Sequence, residues 1–285
     1  MDARLELIVE GIAFGESPRW HDDRIWFCDW VDGDVRSAQP DGGDVRTHAH
    51  LDGFPICIDW DTRGRLLVVN GDARQLVRSI DDRLELFADL SPLSDRPWNE
   101  VVSHPSGNAY VNGIGYDMMA GETTRTGQIA LVDPAGDARL VAEDLAFPNG
   151  MAINVHGTML AVAESHAGRI SAFTINESGD LTERRVFAEV ANSAPDGICF
   201  AADGTLWYAD VPNRHCRRVT ANGDIVETIE VDRGCFSCAI APNGDLYITA
   251  TIWDTDTFTT RRGVLYRLPD TRPAGSTDTL SLARR

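Results

Sequence analysis

Positive charge is scarce in this chain, and so is cysteine. Lys and Arg number 26 against 44 Asp and Glu, a formal net charge of -18 over 285 residues. With no Lys/Arg-rich run to follow a phosphate backbone, nucleic acid is excluded as a partner class. Six cysteines (Cys28, Cys57, Cys199, Cys216, Cys235, Cys238) are too few to staple a chain this long, so reduced, mostly buried thiols are expected. No apolar run approaches the roughly 20 residues that span a bilayer. The opening Met1-Asp2-Ala3-Arg4-Leu5-Glu6 is too acidic for a secretory leader. A soluble, cytoplasmic protein with no membrane partner is expected, and a hydrophobic content of 43% is ample for a packed core.

What the chain does have is a repeat. A turn followed by a β-rich run occurs at Thr62-Arg63-Gly64-Arg65-Leu66, Pro105-Ser106-Gly107-Asn108-Ala109, Val155-His156-Gly157-Thr158-Met159, Ala202-Asp203-Gly204-Thr205-Leu206 and Pro242-Asn243-Gly244-Asp245-Leu246. A sixth copy, His21-Asp22-Asp23-Arg24-Ile25, lacks the glycine. Counted from Arg24 through the five glycines, the spacings are 40, 43, 50, 47 and 40 residues, the period of a four-stranded propeller blade. Each glycine stands where a hairpin needs positive φ, between β-branched, aromatic or alternating residues. Third strands follow at Gly127-Gln128-Ile129 and Gly168-Arg169-Ile170, and Leu181 to Phe187 reads as a fourth.

The fold class expected is therefore all-β: a six-bladed β-propeller of four-stranded blades, one domain over residues 1–270, with a disordered C-terminal tail over 271–285. A lone blade cannot bury both its faces, so the ring must close. The alternating Arg4-Leu5-Glu6-Leu7-Ile8-Val9 is the strand expected to close it, outermost beside Gly263-Val264-Leu265-Tyr266-Arg267-Leu268.

Eight residues before each turn lie Glu16, Ile56, Asn99, Asn149, Asp196 and Phe236. These positions should start the innermost strands and ring one mouth of the axis. Four of the six carry oxygen donors. Crowding two carboxylates and two carboxamides on a narrow axis costs several kcal/mol unless a cation compensates. Oxygen donors without His or Cys suit a hard dication. Any one of them alone has a plainer reading, because Asn149-Gly150 and Asp196-Gly197 are common turn pairs and Glu16 could bond backbone at a strand end. The shared offset favours the ion. Ile56 and Phe236, the apolar members, would form walls.

Through Gly15-Glu16-Ser17-Pro18-Arg19-Trp20, Pro148-Asn149-Gly150-Met151-Ala152, Pro195-Asp196-Gly197-Ile198-Cys199 and Gly204-Thr205-Leu206-Trp207-Tyr208, the sequence resembles the family of senescence marker protein (regucalcin), gluconolactonases and luciferin-regenerating enzyme. The similarity runs from about residue 7 to residue 268. It implies a six-bladed propeller holding one divalent metal through Glu16, Asn149 and Asp196. Ca²⁺ is the first choice, with Mg²⁺, Mn²⁺ or Zn²⁺ as alternatives. It also implies that Asn99 touches substrate. Where the family has Arg-x-Asn-Asp-Gly, this chain has Pro97-Trp98-Asn99-Glu100-Val101; the arginine is missing and Arg96 stands one residue off. That departure weakens a sugar-lactone assignment, and Trp98 points to a more apolar substrate. Asp117 falls in a loop where some family members place a substrate-binding carboxylate.

Resemblance and metal chemistry together imply hydrolysis of a small-molecule lactone, with Asp196 taking the proton from water. Met118, Met119 and Trp253 lie on loops that could cover the site or serve only in packing. Alternatives are a propeller enzyme like strictosidine synthase, a metal-assisted hydratase, or a non-catalytic Ca²⁺-binding or interaction propeller. Cys235-x-x-Cys238 is no redox or zinc motif if its strand is regular, since a separation of three sets side chains on opposite faces. The seven histidines show no ligand spacing, and Gly15-Glu16-Ser17-Pro18 is no serine elbow. Oligomeric state is not encoded in any of these features.

Overall fold

The turns set the architecture. Gly64, Gly107, Gly157, Gly204 and Gly244 have φ of 71°, 95°, 69°, 83° and 94°, the left-handed region a tight hairpin demands. In the copy without glycine, Asp22 and Asp23 adopt it instead, at 47° and 57°. Aspartate tolerates that region because its short side chain bonds its own backbone.

The structure, a computed structural model, describes residues 1–81 and 83–269. The expected tail over 271–285, and residue 270 at the expected domain end, lie outside the described residues. The first strand is β1 (Glu6–Ile12). Blade 1 is β2 (Gly15–His21), β3 (Arg24–Asp29), β4 (Asp34–Ala38) and β5 (Arg46–His50). Blade 2 is β6 (Ile56–Trp60), β7 (Leu66–Asn70), β8 (Gln75–Ile80) and β9 (Arg83–Asp89). Blade 3 is β10 (Val101–Ser103), β11 (Ala109–Gly113), β12 (Gly127–Val132) and β13 (Ala138–Leu145). Blade 4 is β14 (Pro148–Ile153), β15 (Met159–Glu164), β16 (Arg169–Ile175) and β17 (Leu181–Glu189). Blade 5 is β18 (Pro195–Phe200), β19 (Leu206–Asp210), β20 (His215–Val219) and β21 (Ile225–Glu230). Blade 6 is β22 (Gly234–Ile240), β23 (Leu246–Thr251) and β24 (Gly263–Leu268), completed on the outside by β1.

Every blade is antiparallel in chain order, and the innermost strands β2, β6, β10, β14, β18 and β22 contact one another around the ring. The six-bladed all-β propeller is what the repeat predicts. Its closure is as expected too: β1 pairs with β24, Val9 opposite Leu265, tying the two ends of the chain into one sheet. Among the described residues there is no helix long and apolar enough to cross a membrane.

The core lies between blades. Trp207, Cys216 and Ile229 of blade 5 pack on Cys238, Ile248 and Tyr266 of blade 6, all buried. Each blade interface repeats this stack, so blades stabilise one another chiefly through apolar burial, with a few ion pairs such as Arg139–Asp180 crossing between them. One sequence expectation is corrected in this stack. Regular alternation would set Cys235 and Cys238 on opposite faces, but a bulge between Cys235 and Ser237 turns both into the same inter-blade core beside Cys216. All six cysteines are free thiols, and those of Cys199 and Cys238 lie 3.7 Å apart.

Candidate active site

Bulges place the functional side chains. Register slips occur between Glu16 and Arg19 in β2, Pro148 and Met151 in β14, Pro195 and Ile198 in β18, and Cys235 and Ser237 in β22. Each sits at the start of an innermost strand, where an extra residue kinks the chain and re-aims a side chain out of the blade plane. In β6 the ladder runs without a slip from Ile56 opposite Asn70.

Around the axis, at one end, these strands enclose a cavity of about 430 Å³. Glu16, Trp98, Asn99, Asp117, Asn149, Asp196 and Phe236 all border it, as do Met118, Met119 and Trp253. Ile56 does not, and here the sequence expectation of an apolar wall is corrected. Lacking a bulge, Ile56 keeps its side chain in the stack between blades 1 and 2, with Cys28, Val35 and Ile58. Trp98 is more core than wall: it is fully buried beside Cys57, Leu67 and Val101 and only reaches the cavity edge.

Asn149-Gly150 and Asp196-Gly197 are not turn pairs. Both lie inside strands, and the glycines serve close approach: a Cβ on Gly150 would meet the Asp196 carbonyl at 2.6 Å, and one on Gly197 would meet Ser237 Oγ at 1.9 Å. Ser165 fixes which end of Asn149 faces the cavity. Its hydroxyl donates to the Pro195 carbonyl at 2.7 Å, so it can only accept from Asn149 Nδ2, at 3.4 Å. The amide oxygen is thereby left free.

Glu16 and Asp196 are 6% and 8% exposed. Glu16 Oε2 accepts from the Ser17 amide at 3.1 Å, while Asp196 Oδ1 is buried with no hydrogen-bond partner among the described residues. Burial, then the neighbouring charge of Glu100, pushes the Glu16 carboxyl up to about 8. Burial, then Glu16 and Glu100, pushes Asp196 well above the carboxylate range. One resident cation lies deeper on the axis, because Arg19 donates to Glu100 Oε1 at 3.0 Å and to the Val101 carbonyl at 3.1 Å. It serves Glu100 first. Arg19 also faces Asp59, so four buried carboxylates, Glu16, Asp59, Glu100 and Asp196, share one guanidinium, a deficit of positive charge beneath the cavity.

The donors fit a hard divalent ion. Two carboxylates and an amide oxygen, one of them an orphaned buried atom, are the ligand chemistry of Ca²⁺, Mg²⁺ or Mn²⁺. Among the described residues no three His, Cys, Asp or Glu side chains gather as a metal site. A third protein donor here would be an amide oxygen, and Asn149 and Asn99 both border the cavity.

Sequence reading missed several participants. The second strand of a blade ends in a polar residue that ties down the loop entering an innermost strand. Asp29 accepts from the Ala13 and Phe14 amides at 2.9 and 3.0 Å. Asn112 accepts from the Glu100 amide at 3.2 Å and donates to the Asn149 carbonyl at 2.5 Å. Glu164 accepts from the Ala146 amide at 2.8 Å. In blades 1, 3 and 4 these anchors stand five to seven residues beyond the turn. His166 also borders the cavity, packed at a tilt against Phe147 with ring centres 4.6 Å apart, and burial lowers its pKa. Phe14, Trp30, Phe54 and Phe258 complete the aromatic lining. Phe14 and Phe54, like Phe147, stand two residues before a ring position, a recurrence the sequence carries, whereas Trp30 and Phe258 follow no such offset.

The family model described as SMP-30/Gluconolactonase/LRE-like region matches residues 14–252. Among solved structures, a luciferin-regenerating enzyme superposes with a TM-score of 0.80 at 18% identity, over 94% of this chain and 95% of that one. A gluconolactonase from Xanthomonas campestris gives 0.74 at 21% identity, over 93% and 89%. A calcium-binding regucalcin from Agrobacterium tumefaciens gives 0.75 at 21% identity, over 92% and 95%. At such identities the structural likeness is one of fold.

Proposed function

The chain belongs to the SMP-30/gluconolactonase/LRE-like family, and from that membership and the charge deficit at its axial mouth we propose that it is a divalent-metal-dependent lactonase. The observation that carries the reading is the buried, partnerless Oδ1 of Asp196 beside the raised carboxyl of Glu16. A fold does not leave such atoms unpaired without cost, and a hard cation is the partner that both oxygens and the freed Asn149 oxygen accept together. The calcium-binding regucalcin and the gluconolactonase among the fold neighbours support the same reading.

Glu16, Asn149 and Asp196 would hold the ion, which supplies Lewis-acid polarisation of a carbonyl and a lowered pKa for water at the site. Asp196 has two oxygens, so one can ligate while the other takes a proton from attacking water. Asn99, at the cavity edge, offers an amide N–H to the oxygen on which charge develops. Arg19 holds Glu100 in place and leaves Asp196 with no arginine of its own, which keeps that carboxylate basic. The aromatic walls limit water at the reacting carbon.

The test is a lactone panel with chelated and reloaded protein. Turnover is expected to vanish on chelation and return with Ca²⁺, Mn²⁺ or Mg²⁺, and calorimetry should find one ion per chain. Hydrolysis that survives exhaustive chelation sinks metal dependence. An ion bound with no lactone opened sinks the enzymatic reading and leaves a cation-binding propeller.

A further inference from the structure

The cavity walls select what enters it. On one side, Phe14 packs against Trp30, Phe236 and Phe258 with ring centres 5.3, 4.7 and 5.3 Å apart. Trp253 joins them, 5.5 Å from Phe236 and 5.9 Å from Phe258. These rings come from blades 6 and 1. Across the ring, blades 3 and 4 contribute Tyr116, Phe147 and His166, with Tyr116 and Phe147 6.1 Å apart.

Ordinary core packing does not account for this arrangement. Trp253 lies on the long loop between β23 and β24 and is 50% exposed, an apolar surface left uncovered at the mouth. Phe147 is held at φ 60°, an unfavourable backbone for a residue with a Cβ, and in that conformation its ring borders the cavity.

Charge narrows the choice further. The charged residues bordering the cavity are Glu16, Asp72, Asp117 and Asp196, and among the described residues the lining includes no Lys or Arg. Arg96, next to the position where the resembled family carries its arginine, is turned away and bound to Glu122 at 2.6 Å. Away from the ion, a carboxylate or phosphate on the substrate's ring would meet only the like charge of Asp72 and Asp117.

We propose that the substrate is a non-anionic lactone bearing an aromatic ring, with that ring held between the Phe14–Trp253–Phe258 wall and Phe147. The lactone carbonyl then faces Glu16, Asn149 and Asp196, and the assignment rests on the metal-dependent lactonase reading of the same cavity. A cavity of about 430 Å³ lies in the range that encloses small organic ligands. Flat rings match flat walls, and quadrupole contacts favour an arene over a saturated ring of equal area.

The experiment uses full-length, Ca²⁺-loaded protein and three ligands: a neutral phenyl-substituted δ-lactone, its cyclohexyl analogue, and the phenyl lactone bearing a ring carboxylate. Calorimetry gives affinities and pH-stat assays give turnover. The phenyl lactone should bind about three- to tenfold tighter than either analogue. Trp253→Ala and, separately, Phe258→Leu should erase most of that margin. The proposal is overturned by equal affinity for phenyl and cyclohexyl lactones, by preference for the carboxylate, or by unchanged phenyl affinity in Trp253→Ala. Phenyl selectivity in binding without hydrolysis of any lactone upholds the pocket and sinks the lactonase reading. Faster hydrolysis of aliphatic than aryl lactones does the reverse.

Discussion

Glu164 and Asp196 are both buried carboxylates on neighbouring blades, yet their surroundings are opposite. Glu164 accepts from Arg169 Nε and Nη2, each at 3.0 Å, from Arg184 at 2.9 Å, from the Ala146 amide at 2.8 Å and from the Ser171 hydroxyl. Burial alone would raise its pKa, but Arg169, the Ala146 amide, Ser171 and Arg184 outweigh it and hold the carboxyl down at about 2. Asp196 has a partnerless oxygen and a raised pKa. Where this fold uses a carboxylate as scaffolding, donors surround it. On the metal-dependent reading proposed above, the bare one bordering the cavity is held back for the ion.

Removing each carboxylate breaks the comparison most directly. Asp196→Ala should cut lactone turnover by more than about a thousandfold. Its unfolding free energy in metal-free buffer should fall by less than about 1 kcal/mol or even rise, because an unpaired buried carboxylate is lost. Glu164→Ala should instead lower stability by roughly 2–3 kcal/mol, since two guanidinium groups and an amide lose their acceptor. Paired urea titrations decide it. If Asp196→Ala is the more destabilised of the two, the axial carboxylate is scaffolding after all.

Next in size is the pH dependence, where the two regions carry opposite signs. The Glu164 carboxyl lies at about 2, below its ordinary 4.5, so its stabilisation is present above pH 4.5 and lost as pH falls toward 2. After solvent screening of the partly exposed arginines, that limb is about 1–2 kcal/mol. Glu16 lies at about 8, above 4.5, so the metal-free fold binds more protons than the unfolded chain between those values. Its contribution is present below pH 4.5 and lost as pH rises through 8. Urea midpoints from pH 3 to 9 should fall at both ends. Glu164→Gln shrinks the acid limb; saturating Ca²⁺ removes the alkaline one, whereas Glu16→Gln removes only its own share because Asp196 is raised beside it. An alkaline limb that persists with Ca²⁺ bound would separate Glu16 from the ion.

Repeat chemistry explains what the sequence discloses and what it hides. A glycine at positive φ marks every turn but one, so counting back from Gly157 and Gly204 lands on Asn149 and Asp196 without any structure. The count finds equivalent backbone positions. It does not find where a side chain aims, because one extra residue flips the face a strand presents. Ile56 shows the difference: its register position matches Glu16, but β6 has no bulge and the side chain stays in the core. Cys235 and Cys238 show the converse, brought onto one face by a bulge that alternation cannot foresee. The aromatic walls were half legible: Phe14, Phe54 and Phe147 each stand two residues before a ring position, whereas Trp253 and Phe258 lie on the long β23–β24 loop, whose length shares no period with the repeat.

The smallest expected effect probes the link between the two regions. Ser165 follows Glu164 directly, receives Asn149 Nδ2 at 3.4 Å and donates to the Pro195 carbonyl at 2.7 Å. It thus hands the rigidity of the scaffolding carboxylate to the amide oxygen expected to meet the ion. Partners of this kind, one bond removed from a metal, typically set tens-fold in affinity, and a bond as long as 3.4 Å belongs at the lower end. Ser165→Ala should weaken Ca²⁺ binding by about three- to tenfold, with the unfolding midpoint in metal-free buffer nearly unchanged, whereas Ser165→Thr, which keeps the hydroxyl, should restore most of the affinity. Calorimetric titration of the three proteins reads this directly. Identical affinities would mean that Asn149 is oriented by its backbone alone, and the scaffold and the bare carboxylate would then be neighbours without being coupled.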